Sequence, residues 1–211
     1  MAGVLPPATF SRASLAIHTA RPGERFGRIY RDAFPNALGF GKRPSRFSDP
    51  RRRVEVSRFG VLYLGETVKV CFLEAVLRDQ RDGVVGSLPM REDELEARRF
   101  ADVEITTPLH LVDLREDRAV VMGVPSDVQR GSRHTLGRAW SVAFYDHPTA
   151  PDGIIYASRL NGHTNLAVYD RAISKLKAVR ARRLLAVPEL AQVLDDLEVE
   201  LVLPDPPGLA V

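Results

Sequence analysis

Apolar runs and their spacing divide the chain before any single residue does. GVLYLG (Gly60–Gly65) is a short unbroken apolar run bounded by glycines, the pattern of a buried strand. GIIYAS (Gly153–Ser158) and TNLAVYD (Thr164–Asp170) read as two further strands joined by RLNGH. FGRIYRDAF (Phe26–Phe34) reads as an earlier strand, and EVELVLP (Glu198–Pro204) as a last one, stopped by a proline-rich tail. VEITTPLHLVDL (Val103–Leu114) alternates well enough for a strand or a bent pair of strands.

Helical spacing is clearest in ETVKVCFLEAVLRDQ, which predicts a helix from Thr67 to Gln80 with Thr67 as its N-cap. Its apolar residues Val68, Val70, Cys71, Phe72, Leu73, Val76 and Leu77 cover most of the circumference, so the helix should be buried. TLGRAWSVAFYDH places Leu136, Trp140, Ala143 and Phe144 at helical spacing. PELAQVLDDL, with Pro188 near its start, predicts a short helix, and EDELEARRFA (Glu92–Ala101) a short exposed one. Strands and helices are interspersed without strict alternation. The expected fold is a mixed α+β domain with a partly antiparallel twisted sheet and flanking helices, rather than a doubly wound one. Residues 1–20 show no clear period and read as a loose N-terminal arm ahead of one domain over 21–211. PNALGFGKRPSRFSDPRRR (Pro35–Arg53) is a long irregular loop, and such loops in compact domains often carry function.

Composition narrows the function classes. The 211 residues include one cysteine, Cys71, so no intramolecular disulfide forms, which fits a reducing cytosol. No signal-type leader and no run near the roughly 20 apolar residues of a membrane helix is present, so a soluble cytoplasmic protein is expected. The net charge of +3 permits an anionic ligand without demanding nucleic acid. Basic residues cluster at Lys42, Arg43, Arg46, Arg51, Arg52 and Arg53, and again at Lys175, Lys177, Arg180, Arg182 and Arg183. Either cluster reads first as a solvated surface. Few aromatics interleave with them, which argues against direct nucleic-acid binding. Walker, GxGxxG, GxSxG and HExxH patterns are absent, and the five histidines have no metal-ligand spacing, so no metal is expected.

What remains is a set of polar residues in apolar surroundings. Glu74 has Val70, Cys71 and Leu77 as helical neighbours, which turns its carboxylate toward protein or a cleft. The plainer alternative is a modest ion pair with Arg78 at i+4. Ser158 ends an apolar run, where a serine commonly serves only as a turn-former. Taken alone, Arg46 in the long loop and Arg31 in the first strand each read first as solvated arginines. Tyr63, in a core strand, reads first as an ordinary buried tyrosine with one satisfied hydroxyl.

Together and in order, these residues resemble the RES-domain toxins, a bacterial family named for an arginine, a glutamate and a serine. RIYRDAF resembles its first-strand Tyr-Arg element, and SRFSDP its Gly-Arg-Phe/Trp segment. LYLGETVKVCFLE resembles its Tyr-Leu-Ala-Glu/Asp-Ser segment with the glutamate about a dozen residues on. RAWSVAFYDHPTAPDGIIYASRLNG resembles its Trp-Ala helix, Asp-Gly-Ile strand and Ser-Arg turn, and NLAVYDR its closing strand. Two departures stand out: Ser45 replaces the usual glycine before the loop arginine, and Gly65 replaces an alanine.

The resemblance implies a fold akin to ADP-ribosyltransferases, NAD as substrate and cleavage of its nicotinamide–ribose bond. It implies that Glu74 stabilises the ribosyl cation and that Arg31 and Arg46 bind phosphate. Tyr63 would stack on nicotinamide, and Ser158 would hydrogen-bond ribose or phosphate. Inorganic phosphate as acceptor gives an NAD phosphorylase, water a glycohydrolase, and a protein side chain an ADP-ribosyltransferase. A binding module without activity is a further alternative. The resemblance also implies a toxin–antitoxin system with an Xre-like helix-turn-helix antitoxin; a homodimer is compatible with the sequence.

Overall fold

Val61–Gly65 (β3) lies in the interior of an eight-stranded mixed sheet. A computed structural model describes residues 4–51, 54–131 and 134–203; Arg52 and Arg53 of the first basic cluster and the proline-rich tail lie outside them. The other strands of this sheet are β1 (Ile17–Ala20), β2 (Arg25–Arg31), β5 (Arg98–Ile105), β6 (Leu109–Asp113), β7 (Gly153–Ala157), β8 (Thr164–Tyr169) and β9 (Leu176–Arg183), in the spatial order β1-β6-β7-β8-β3-β2-β5-β9. Only β6 and β7 run parallel; the remaining neighbours are antiparallel. A separate parallel pair joins β4 (Leu88–Arg91) to β10 (Val199–Val202). The architecture is therefore mixed α+β, with helices flanking a largely antiparallel sheet.

The helices are short. Beyond the one that begins at Val68 they are α2 (Glu92–Glu96), α3 (Arg118–Val121), α4 (Asp127–Arg130), α5 (Thr135–Tyr145) and α6 (Leu190–Asp196). Helix α5 buries Trp140 and Phe144 against Phe10, Phe47 and Tyr169. The opposite side of the sheet packs Leu62, Leu64, Val103 and Leu166. A third cluster holds Phe72, Val76, Phe100 and Leu190. No helix among the described residues is long and apolar enough to cross a membrane.

Two stretches differ from the sequence expectation, and a third adds a strand to it. Residues 4–20 are docked rather than loose: Phe10 is buried, the Trp140 indole donates to the Val4 carbonyl, and Ile17–Ala20 pairs with β6. EDELEARRFA is helical only over Glu92–Glu96, because Arg98–Ala101 already pair with β2. The second basic cluster is solvent-facing at Lys177, Arg180 and Arg183, as expected, but lies on edge strand β9, which the sequence did not predict, with Arg182 paired to Asp102 at 3.3 Å.

Candidate functional site

Strands β2 and β3 touch at a single register pair, Gly27 opposite Gly65, and then diverge. Both glycines are required by packing. A Cβ on Gly27 would meet the Phe100 ring at 2.6 Å, and one on Gly65 would meet the Cys71 sulfur at 2.8 Å. The helix carrying Cys71 thus sits directly over the junction. At the far end of β3, Gly41 bridges Val61 and brings the long loop back to the sheet. Between these two closures opens a cleft of about 440 Å³, walled by Arg28, Ile29, Tyr63, Leu64 and the Pro44–Arg46 segment. That volume is within the range of small-molecule sites.

Thr67 caps the overlying helix as its sequence predicts, accepting from Val70 N–H. The helix is regular only over Val68–Phe72 (α1). It then widens into a π turn over Leu73–Leu77, closed by Arg78 N–H to the Leu73 carbonyl at 2.7 Å. Such turns recur at functional sites because they re-aim side chains. The expected regular helix to Gln80 is therefore corrected: it ends at Arg78, whose φ of +42° and ψ of −115° leave the helical region. A non-glycine residue there carries backbone strain of about 1–3 kcal/mol.

Glu74 projects from this π turn and lines the cleft. Its Oε1 accepts from Ser158 Oγ at 2.7 Å and from Asn165 Nδ2 at 3.1 Å. Oε2 has no protein partner among the described residues. The i+4 ion pair with Arg78 does not form; Arg78 Nε donates instead to the Glu74 main-chain oxygen at 2.8 Å. Both donors come from the β7–β8 hairpin. Asn165 lies opposite Tyr156 on β7 and Gly65 on β3, and the side-chain-free Gly65 leaves room beside it.

Arg46 is held by its neighbours. Nη1 donates to the Gly131 carbonyl at 2.8 Å, and Gly137 of α5 lets the Arg46 carbonyl approach where a Cβ would sit 2.7 Å away. Burial pushes its guanidinium pKa down, while Tyr156, Glu74 and Tyr63 push it up and Arg159 adds to the lowering. Tyr63 fixes the same loop: its Oη accepts from Phe47 N–H at 2.9 Å and lies 2.9 Å from Ser45 Oγ. Ser45, the departure from glycine, thereby gains a partner. Arg28, Arg43, Arg46, Arg78 and Arg159 line the cleft against the carboxylates of Glu74 and Asp79, and Arg159 pairs with Asp79. The cleft is net cationic and suits a polyanionic ligand.

Glu74, Arg46 and Tyr63 therefore meet in one cleft. Arg31 does not belong to it. It is exposed at the end of β2 opposite Arg98, whereas Arg28, next to the Gly27–Gly65 junction, is in the wall. Burial pushes the Arg28 guanidinium down to about 10, and it donates to the Ala37 carbonyl. Ser158 is buried behind Glu74, and its hydroxyl also accepts from Leu160 N–H. It orients the carboxylate rather than facing the cavity. Tyr63 spends its hydroxyl on the loop. Sequence reasoning missed Asn165, Tyr156 and Arg28; a polar amide inside the apolar run TNLAVYD was the one available signal.

Known proteins resemble the chain at three levels. A family model described as the RES domain matches residues 17–194. A Sinorhizobium fredii (strain NBRC 101917 / NGR234) protein described as "Probable toxin y4kH" is 45% identical over 127 residues, 60% of this chain and all of that protein. A crystal structure of the M. tuberculosis MbcT–MbcA toxin–antitoxin complex matches with a TM-score of 0.61 at 20% identity, covering 85% of this chain and 91% of that one. At that identity the likeness speaks to the fold.

Proposed function

This chain belongs to the RES domain family, and from that we propose that it cleaves the nicotinamide–ribose bond of NAD as the toxin of a toxin–antitoxin pair. One observation carries the chemistry. The Glu74 carboxylate has one oxygen committed to Ser158 and Asn165 and the other without a partner among the described residues, in a cleft with an excess of arginines. Such a carboxylate stabilises the oxocarbenium-like ribose that forms as the C1′–N bond breaks. Nicotinamide leaves neutral with the bonding pair, so no acid is needed. Arg46, with Arg28 and Arg78, would take the pyrophosphate. The acceptor, inorganic phosphate or water, bonds to C1′ and releases its proton to solvent.

The toxin role rests on the relative described as a probable toxin, and a cytoplasmic setting follows from the substrate. Its partner would be an antitoxin, of the Xre-like helix-turn-helix type, that blocks the cleft. The test is nicotinamide release from NAD, with and without phosphate, by the wild-type chain and by Glu74→Gln. Release by wild type alone supports the reading, and dependence on phosphate makes the chain a phosphorylase. No release from NAD under either condition, but nicotinamide release together with transfer of the labelled ADP-ribose to a protein once cell lysate is added, makes it an ADP-ribosyltransferase.

A further inference from the structure

The β7–β8 hairpin presents one more polar group to the cleft. Tyr156 lies directly opposite Asn165 in the antiparallel pair, so the two side chains share a face of the sheet. Its residue is only 5% exposed, and its ring packs edge-on against Phe47 with centroids 5.0 Å apart. It lines the cavity. A buried tyrosine hydroxyl normally finds a partner. The nearby hydroxyls do: Tyr63 bonds Phe47 N–H and Ser45, and Ser158 bonds Glu74. The Tyr156 hydroxyl makes no hydrogen bond to a described residue. Beside it, Asn165 holds Glu74 by one oxygen only.

Among the described residues, two groups lining the cleft thus remain without a partner. Glu74 Oε2 is an acceptor. The Tyr156 phenol is a donor, because burial pushes its ionisation far from neutral pH. A neighbouring acceptor and donor match vicinal hydroxyls, one giving a hydrogen bond and the next receiving one. We propose that Tyr156 is a substrate-binding residue whose hydroxyl donates to the diol of the ribose next to nicotinamide, with Glu74 accepting from the same diol. This rests on the NAD reading above.

Tyr156→Phe removes the hydroxyl and keeps the ring against Phe47. Calorimetric titration of wild type and Y156F with ADP, ADP-ribose and nicotinamide tests the assignment, since only ADP-ribose carries the second ribose. The expected result is binding of ADP-ribose about three- to tenfold weaker in Y156F, with ADP binding and melting temperature unchanged. Equal binding of ADP-ribose by the two proteins overturns the proposal alone. Weaker nicotinamide binding with ADP-ribose unaffected assigns the hydroxyl to the carboxamide and overturns the diol. A lowered melting temperature means that the hydroxyl serves the fold and also overturns it. Wild type that binds none of the three overturns the NAD reading and this proposal with it.

Discussion

Ser158 Oγ lies 2.7 Å from Glu74 Oε1, the same oxygen that the Asn165 amide reaches at 3.1 Å. Two donors on one oxygen fix the plane and tilt of the carboxylate and leave the other oxygen for a ligand. The donors flank the loop between β7 and β8, Ser158 just after β7 and Asn165 near the start of β8, 84 and 91 residues from Glu74 in the chain. The π turn on the helix side and the hairpin on the sheet side meet at this carboxylate. Preorganisation of this kind acts on the reacting state more than on binding.

Ser158→Ala and Asn165→Ala should therefore lower kcat for nicotinamide release by about 10- to 100-fold, the scale of a small misplacement of a reacting group. KM for NAD should stay within about threefold. A large rise in KM at unchanged kcat would instead assign the Ser158 hydroxyl to the ligand. Steady-state kinetics over a range of NAD concentrations separates the two.

Arg31 and Arg46 should part company. Arg31 is exposed outside the cleft, and Arg46 is held inside it. Arg31→Ala should keep kcat/KM within about twofold, as for surface substitutions away from a site. Arg46→Ala should lose at least tenfold, since a charge-assisted contact to phosphate is worth about 1.5–3 kcal/mol. The opposite ranking of the two variants would place the phosphates elsewhere.

Gly27 is expected to be intolerant of even one carbon. An alanine Cβ would lie 2.6 Å from Cε2 of the Phe100 ring, a buried side chain with little room to retreat. Overpacking of this sort costs about 1–3 kcal/mol, or roughly 2–10 °C in a chain of this size. Gly27→Ala combined with Phe100→Leu should recover part of the loss. Thermal melts of the two single variants and the double variant check it; additive losses would show that the contact is not the cause.

Much of this was legible one element at a time. β3, β7 and β8 announced themselves as unbroken apolar runs, because both faces of these interior strands are covered. Thr67 marked the helix start, and Glu74 stood out as a carboxylate among apolar neighbours. β9 was not legible, because an edge strand with solvent-facing Lys177, Arg180 and Arg183 carries almost no apolar signal. The π turn has no sequence period of its own. The exchange of Arg31 for Arg28 follows from where β2 parts from β3, a fact set by the Gly27–Gly65 contact and invisible from spacing within β2. Asn165 and Tyr156 gain meaning only from pairing across the hairpin.

His134 reports the charge of the cleft. It lines the cavity, and burial lowers its pKa below the ordinary 6.5, with Arg46, Arg138, Arg78 and Arg159 adding to the lowering. The sign follows. The unfolded chain takes up this proton near pH 6.5 and the folded chain only at lower pH, so the protein is favoured above 6.5. Stability is lost as pH falls from 6.5 toward the folded value. An anion bound among the same arginines offsets their field, so it should raise the His134 pKa, and by linkage it should bind more tightly as pH falls. NMR titration of the His134 ring should give a midpoint below 6.5 in the free protein that moves upward with saturating ADP-ribose. A free-protein midpoint at or above 6.5 would contradict the cationic cleft. A midpoint that ignores ADP-ribose would put the phosphates out of reach of His134, and with it away from Arg46 and Arg78.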